Sequence, residues 1–98
     1  MPTLTSTQRS FLRAKAHSLN PVVMIADSGL SENVMKELER NIASHELIKV
    51  KVAAADRSLR DSMLEQICAE LKAAPVQHIG KILVIYRPAA KPTLTLPK

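Results

Sequence analysis

Apolar residues along the 98-residue chain alternate between helical spacing and strand-like runs, and each change of pattern predicts an element boundary. Phe11, Leu12, Ala16 and Leu19 recur at helical spacing behind Thr5-Ser6-Thr7-Gln8, whose hydroxyl and amide stand three residues apart as a capping box requires. A helix is predicted over about Ser6–Ser18, stopped at Asn20-Pro21 because the proline ring disfavours helical geometry in the residue before it. Val22-Val23-Met24-Ile25 is apolar without alternation, the pattern of a strand covered on both faces or central in a partly parallel sheet. Ser31 then caps a second helix reaching about Ser44, with Leu30 and Met35 placed as a hydrophobic staple and Val34, Leu38 and Ile42 as its buried stripe.

Leu47–Val52 alternates strictly: Ile48, Val50 and Val52 point one way, Lys49 and Lys51 the other, which predicts a strand with one wet, basic side. Asp56 or Ser58 caps a third helix, whose apolar face of Leu59, Met63, Ile67 and Leu71, with Leu64 and Cys68, runs to about Ala73. After Pro75, the runs Val76–Ile79 and Ile82–Tyr86 flank Gly80-Lys81, the signature of a tight hairpin. The order α-β-α-β-α-β-β implies an α/β, two-layer fold with a mixed four-stranded sheet: helical crossovers make neighbouring strands parallel, and the hairpin adds an antiparallel one. Residues 1–87 read as a single domain, and 88–98, with three prolines and no periodicity, as an extended tail.

Fourteen Lys and Arg against nine Asp and Glu give a net charge of +5, which favours polyanionic partners. The positive charge is segregated: the first helix carries Arg9, Arg13 and Lys15 with no acid, and Lys49, Lys51, Lys81 and Arg87 lie on the second strand and around the hairpin. The second and third helices are left acidic or neutral. A soluble domain's solvated surface accounts for part of this pattern. The loop Ala26-Asp27-Ser28-Gly29 leading to a helix start at Ser31 and Asn33 adds a second signal, because helix N-termini present N–H groups and a favourable dipole to phosphate. With one Phe, one Tyr and no Trp, base stacking on a sheet has only Tyr86 to use, so recognition is expected to rest on phosphates, shape and 2′-hydroxyls.

Other chemistry finds little support. His17, His45 and His78 sit on different elements without metal-ligand spacing, so no metal or other cofactor is expected. The single cysteine, Cys68, lies on an apolar helix face and reads as core in a reducing compartment. Ser28-Gly29 lacks the flanking glycine of a nucleophile elbow, and no phosphate-binding glycine motif or close carboxylate pair appears. Neither an enzyme nor a small-molecule binder is indicated. The longest apolar runs are five residues, too short for the roughly 20 of a membrane helix, and a cytoplasmic location without membrane contact is expected.

Leu4-Thr5 with Gln8-Arg9, Leu19-Asn20-Pro21-Val22-Val23, Gly29-Leu30-Ser31-Glu32-Asn33-Val34, His45 through Val52, and Val76-Gln77-His78-Ile79-Gly80-Lys81 through Tyr86-Arg87 together resemble the YhbY-like stand-alone form of the CRM domain, the chloroplast RNA splicing and ribosome maturation module. The resemblance spans about residues 2–87. It implies a fold like the C-terminal domain of translation initiation factor three, and binding to RNA, in bacteria to precursors of the large ribosomal subunit within pre-ribosomal particles. It also implies a Gly-x-x-Gly loop after the first strand, similar to the loop with which KH domains clamp a backbone. This chain departs there: Ala26 replaces the first glycine and Asp27 adds a negative charge where phosphate would sit. The expected RNA-binding residues are therefore Arg9, Arg13, Lys15, Ala26, Asp27, Ser28, Gly29, Ser31, Asn33, Lys49, Lys51, Lys81 and Arg87. Two other readings fit the same residues: a general nucleic-acid binder, and a protein-interaction adaptor that meets basic ribosomal proteins through its acidic helices.

Overall fold

The chain runs α1 (Ser6–Ala16), β1 (Pro21–Ile25), α2 (Glu32–His45), β2 (Leu47–Val52), α3 (Arg57–Leu71), β3 (Ala74–Ile79) and β4 (Ile82–Tyr86) in a computed structural model that describes residues 3–26 and 29–97. This is the α/β order expected, with a mixed four-stranded sheet. Local chemistry sets the helix starts. Thr5 Oγ1 accepts from Gln8 N at 3.1 Å while Thr5 N donates to Gln8 Oε1 at 3.0 Å, a complete capping box. Ser31 Oγ accepts from Val34 N at 3.1 Å, and Asp56, not Ser58, caps α3 by accepting from Ser58 N at 2.8 Å. α1 closes at Ala16, two residues before Ser18, and Leu19 stays 36% exposed instead of entering the core.

The strands lie in the order β1-β2-β4-β3, with β1 and β2 parallel and β4 antiparallel to both its neighbours. Two expectations are corrected by this order. β1 is an edge strand, not a central or doubly covered one, and its apolar run leaves Val22 41% and Met24 68% exposed. β3 does not neighbour β2 either, because the hairpin folds back and inserts β4 between them. The physical reason is in the two hairpin strands: Leu83, Val84, Ile85 and Tyr86 are buried on both faces, whereas β3 carries Pro75, whose missing N–H is tolerated at an edge. Gly80 turns the hairpin at φ +56°, the conformation of a two-residue turn with glycine first.

α2 and α3 cover one face of the sheet. Leu38, Ile42 and Ile67 pack there on Val23, Ile25, Ile48, Val50, Val52, Leu83 and Ile85. A fully buried side chain of this size contributes about 1.5–3 kcal/mol, so this layer holds most of the stability. In α3 the inward position expected of Leu59 is taken by Arg60: Leu59 is 47% exposed, while Arg60 Nη1 donates to Ala54 O and Ala55 O, both at 2.8 Å. On the opposite face, α1 lays Leu12 and Ala16 over only Leu47, Val76, Val84 and Tyr86, so the two layers expected gain a partial third, because Leu47, Val84 and Tyr86 on that face are also apolar and need cover.

The segment after β4 has no helix or strand, yet it is fastened. Leu94 and Leu96 join the α1 cluster, and Gln8 Nε2 donates to Pro97 O at 3.0 Å. Its anchor is Glu46, 2% exposed, whose carboxylate accepts from Thr93 N at 2.6 Å, Thr93 Oγ1 at 3.1 Å and Leu94 N at 3.3 Å. Burial pushes the Glu46 carboxyl up, but the hydrogen bonds from Thr93, Leu94 and Ala89 outweigh it and hold it below the usual value. Its backbone sits at φ +64°, where an L residue is strained, and the contacts at both ends of the residue sustain that geometry.

Candidate nucleic-acid interface

The strict alternation of β2 gives the two faces of the sheet different chemistry. Ile48, Val50 and Val52 are sealed under α2 and α3, whereas Lys49 is half-buried and Lys51 exposed on the face that α1 covers only in part. Lys49 stands beside Pro21 of β1 and Val84 of β4, and Lys51 beside Met24 and Ile82. Two cavities extend along this open strip. The larger, about 410 Å³, is bordered by Lys15 of α1, Asn20, Val22, His45, Lys49 and Leu94. The smaller, about 260 Å³, lies between Met24, Ala26, Lys51 and Ala53. Lys15, Lys49, Lys51 and Ala26 thus follow one another from the end of α1 to the loop after β1.

The remaining cations of α1 do not join that strip. At 100° per residue, Arg13 and Lys15 project about 160° apart around the helix. Arg9 Nε reaches Pro75 O of β3 at 3.4 Å, and Arg13 lies exposed with Nη2 donating to Ser10 Oγ at 3.1 Å. The helix therefore carries one cation, Lys15, toward β2, with Arg9 reaching β3 and Arg13 exposed; Lys15 Nζ also rests 5.5 Å from the centre of the Phe11 ring.

The loops after β1 and β2 and the hairpin turn gather at one end of the sheet, where Ala53 N donates to Ile25 O and Val52 N to Lys81 O, each at 2.8 Å. Lys81 is exposed there, as is Arg57 at the start of α3, a cation the sequence reading did not single out. Gly29 adopts φ +83°, and a Cβ at this position would meet Met63 Cε at 3.6 Å, so its backbone angle, not lack of room, demands glycine. Its N–H donates to Ala26 O at 2.9 Å and is therefore already used. Ser31 spends its hydroxyl on the cap, which leaves the first N–H groups of α2, at Glu32 and Asn33, as the donors at this end. Asp27 and Ser28 lie outside the described residues.

Arg87 is placed elsewhere. Its guanidinium grips the Glu39 carboxylate through Nη1 at 2.9 Å and Nη2 at 2.5 Å, and Nη1 also donates to Leu71 O at 2.9 Å, on the α2 and α3 side of the sheet. The hydrogen bonds from Arg87 hold the Glu39 carboxyl below its usual value against the opposing pull of desolvation. Tyr86 is only 3% exposed, so the one tyrosine is not available for stacking. Burial, with the Glu46 charge nearby, pushes its hydroxyl up.

Among the described residues every acidic side chain lies on α2, α3 or their caps: Glu32, Glu37, Glu39 and Glu46 on the first, Asp56, Asp61, Glu65 and Glu70 on the second. Of these, Glu46 is buried and bound to the tail. Among the described residues the open strip thus carries lysines without a competing carboxylate. His78 is occupied structurally, with Nδ1 at 2.5 Å from Asp61 Oδ1 and Nε2 accepting from Arg60 Nε at 3.3 Å. Cys68 is buried, which pushes its thiol up to about 11. Among the described residues no group of three or more His, Cys, Asp or Glu is placed to hold a metal ion, and no helix is long and apolar enough to cross a membrane.

Sequence reasoning missed the anchoring of the tail. The Leu94-Thr95-Leu96 alternation was its one signal, and nothing in the sequence marks Glu46 as buried.

Comparison with known proteins agrees with this architecture. The CRS1 / YhbY (CRM) domain matches residues 4–87. A Haemophilus influenzae protein named RNA-binding protein is 50% identical over 98 residues, covering 100% of this chain and 99% of that one. A Pseudomonas aeruginosa protein, named Probable RNA-binding protein PA4753, is 43% identical over 93 residues, covering 95% of this chain and 89% of that one. The solution structure of SAV1595 from Staphylococcus aureus superimposes with a TM-score of 0.86 at 31% identity, covering 97% of this chain and all of that one.

Proposed function

The chain belongs to the CRS1 / YhbY (CRM) domain family, and on that footing we propose that it binds RNA, chiefly by the sugar-phosphate backbone, and assists assembly of the large ribosomal subunit on its precursor RNA. The names of its relatives support the RNA-binding part. The large-subunit part rests on the resemblance to YhbY-like stand-alone proteins. The observation that carries the backbone mode is the partition of charge across the sheet: Lys15, Lys49 and Lys51 converge on an open strip, while the described acidic residues are gathered on α2, α3 and their caps. Lysines act as point charges toward phosphate and carry little base information, so affinity precedes sequence preference. Lys81, Asn33 and the start of α2 extend the contact past Gly29, and Arg9 and Arg13 offer a second rail along α1.

Fluorescence anisotropy with a structured RNA tests this reading. The affinity is expected to fall with salt along a log–log slope that corresponds to about three to six phosphates, and a salt-independent affinity would contradict it. Sedimentation of cell extract tests the particle: release from the large-subunit fraction on RNase treatment is expected, whereas retention would favour the adaptor reading through the acidic helices.

A further inference from the structure

The cavity of about 410 Å³ between the end of α1, the start of β1, β2 and the tail has a composition that simple phosphate binding does not require. Its wall and floor are apolar, with Val22, Leu47 and Leu94, while Lys15, Asn20 and Lys49 bring two cations and an amide to it, and among the described residues no carboxylate lines it. Its volume lies within the range of about 300–1,000 Å³ seen for small-molecule sites. An apolar recess lined by two cations suits a ligand whose charge is at its edge and whose body is flat and poorly hydrated. A nucleotide has that form, with phosphates for Lys15 and Lys49, an apolar base face for Val22 and Leu94, and base-edge atoms for the Asn20 amide. The usual alternative, stacking bases on an open sheet, is closed here because Tyr86 is buried. The fold also goes to some length to set the wall. Leu94 is held by a buried carboxylate, Glu46, that takes its N–H and two donors of Thr93.

We infer that this cavity receives one unpaired nucleotide of an RNA lying along the basic strip, its base inserted among Val22, Leu47 and Leu94 and its phosphates held by Lys15 and Lys49. The inference rests on the RNA-binding reading above and adds to it a preference: a bulged or looped RNA over a fully paired one of equal charge.

Three hairpin RNAs of the same stem test it with the full chain, compared with one another at each point of a salt series: one fully paired, one with a single bulged nucleotide, and one with an abasic site at the bulge. The base-bearing bulge is expected to bind about tenfold more tightly than either of the others, and 2-aminopurine at the bulge is expected to change its fluorescence on binding. Val22→Arg fills the cavity mouth while adding a cation. It is expected to strengthen binding to the paired hairpin and to cut the preference for the bulged base below twofold. Val22 is exposed on an edge strand, so the variant should fold, as circular dichroism will show; if it does not, the three-RNA series on the unaltered protein still decides. A preference of fivefold or more for the base over the abasic site supports the inference. A smaller one, with salt-dependent binding to all three, overturns it and leaves RNA binding intact. Salt-independent or absent binding to all three overturns both.

Discussion

The two faces of the sheet use the same strands for opposite purposes. On one, Ile48, Val50 and Val52 are 0–1% exposed beneath α2 and α3, and those helices and their caps carry the described acidic residues, all but the buried Glu46 turned outward. On the other, one residue along, Lys51 stands beside Met24, and Lys49 shares a cavity with Val22, apolar side chains left 68% and 41% exposed. The first face is a packed apolar core whose buried cation, Arg60, has its hydrogen bonds met by Ala54 O and Ala55 O. The second departs from core packing in two ways, by exposing apolar side chains at a sheet edge and by gathering like charges. Such local departures from what folding alone requires are where function is expected.

The contrast is tested most severely by putting charge on the wrong face. Val50→Asp places an unpaired carboxylate where α2 and α3 leave no water, and a loss of more than about 3 kcal/mol is expected, enough to abolish the cooperative thermal transition of a domain this size. A melting temperature within a few degrees of the parent would mean that the closed face is not the core. The mirror experiment, Lys49→Ala with Lys51→Ala, is expected to leave the melting temperature nearly unchanged while weakening RNA binding about tenfold. It should also flatten the salt dependence by about 1.5, since each phosphate contact carries about 0.7–0.9 of slope.

A smaller effect sharpens the boundary between the faces. The Glu46 carboxyl, at the junction of α2, β2 and the tail, is held below its usual value, so the unfolded chain binds the proton more readily than the folded one. Its contribution to stability is complete above the ordinary carboxyl value of 4.5 and is lost as pH falls through the lower folded value. Glu39, also lowered, adds loss in the same acid window. Melting curves from pH 7 to pH 3 are expected to show Glu46→Gln less acid-sensitive than the parent, with the tail's amides already faster in hydrogen exchange at pH 7. Equal tail exchange in both would remove Glu46 as its anchor. The smallest effect is Arg87→Ala: about 1 kcal/mol of stability or less, because the Glu39 pair is partly exposed. RNA affinity should change less than twofold, and a tenfold loss would return Arg87 to the binding surface.

Most of this contrast was legible in the sequence because β2 alternates strictly, and alternation assigns side chains to faces without knowledge of the fold. The capping box at Thr5 and the hairpin at Gly80 were legible for the same reason: their chemistry is local. What failed was non-local. An apolar run such as Val22–Ile25 reads as buried because nothing in the run says that one side is left open. The stripe of α3 fits Leu59 and Arg60 nearly equally by spacing, and only the carbonyls of Ala54 and Ala55 decide for Arg60. Of the expected site, Lys15, Lys49, Lys51 and Ala26 are brought onto one strip, with Gly29, Ser31, Asn33 and Lys81 about its end. Arg9 and Arg13 flank it, Arg87 is drawn to the other face by Glu39, and Asp27 and Ser28 lie outside the described residues. Charge counted by segment cannot separate two cations on opposite sides of one helix.

The central claim, that RNA lies on the open face, is met most directly by following backbone amide resonances of the labelled protein as a structured RNA is added. Shifts are expected at Lys15, Asn20, Val22, Met24, Lys49 and Lys51 and on into Gly29–Asn33 and Lys81, with the outer faces of α2 and α3 unmoved at Glu37, Glu65 and Glu70. Shifts concentrated on those acidic faces, with β1 and β2 silent, would contradict the account.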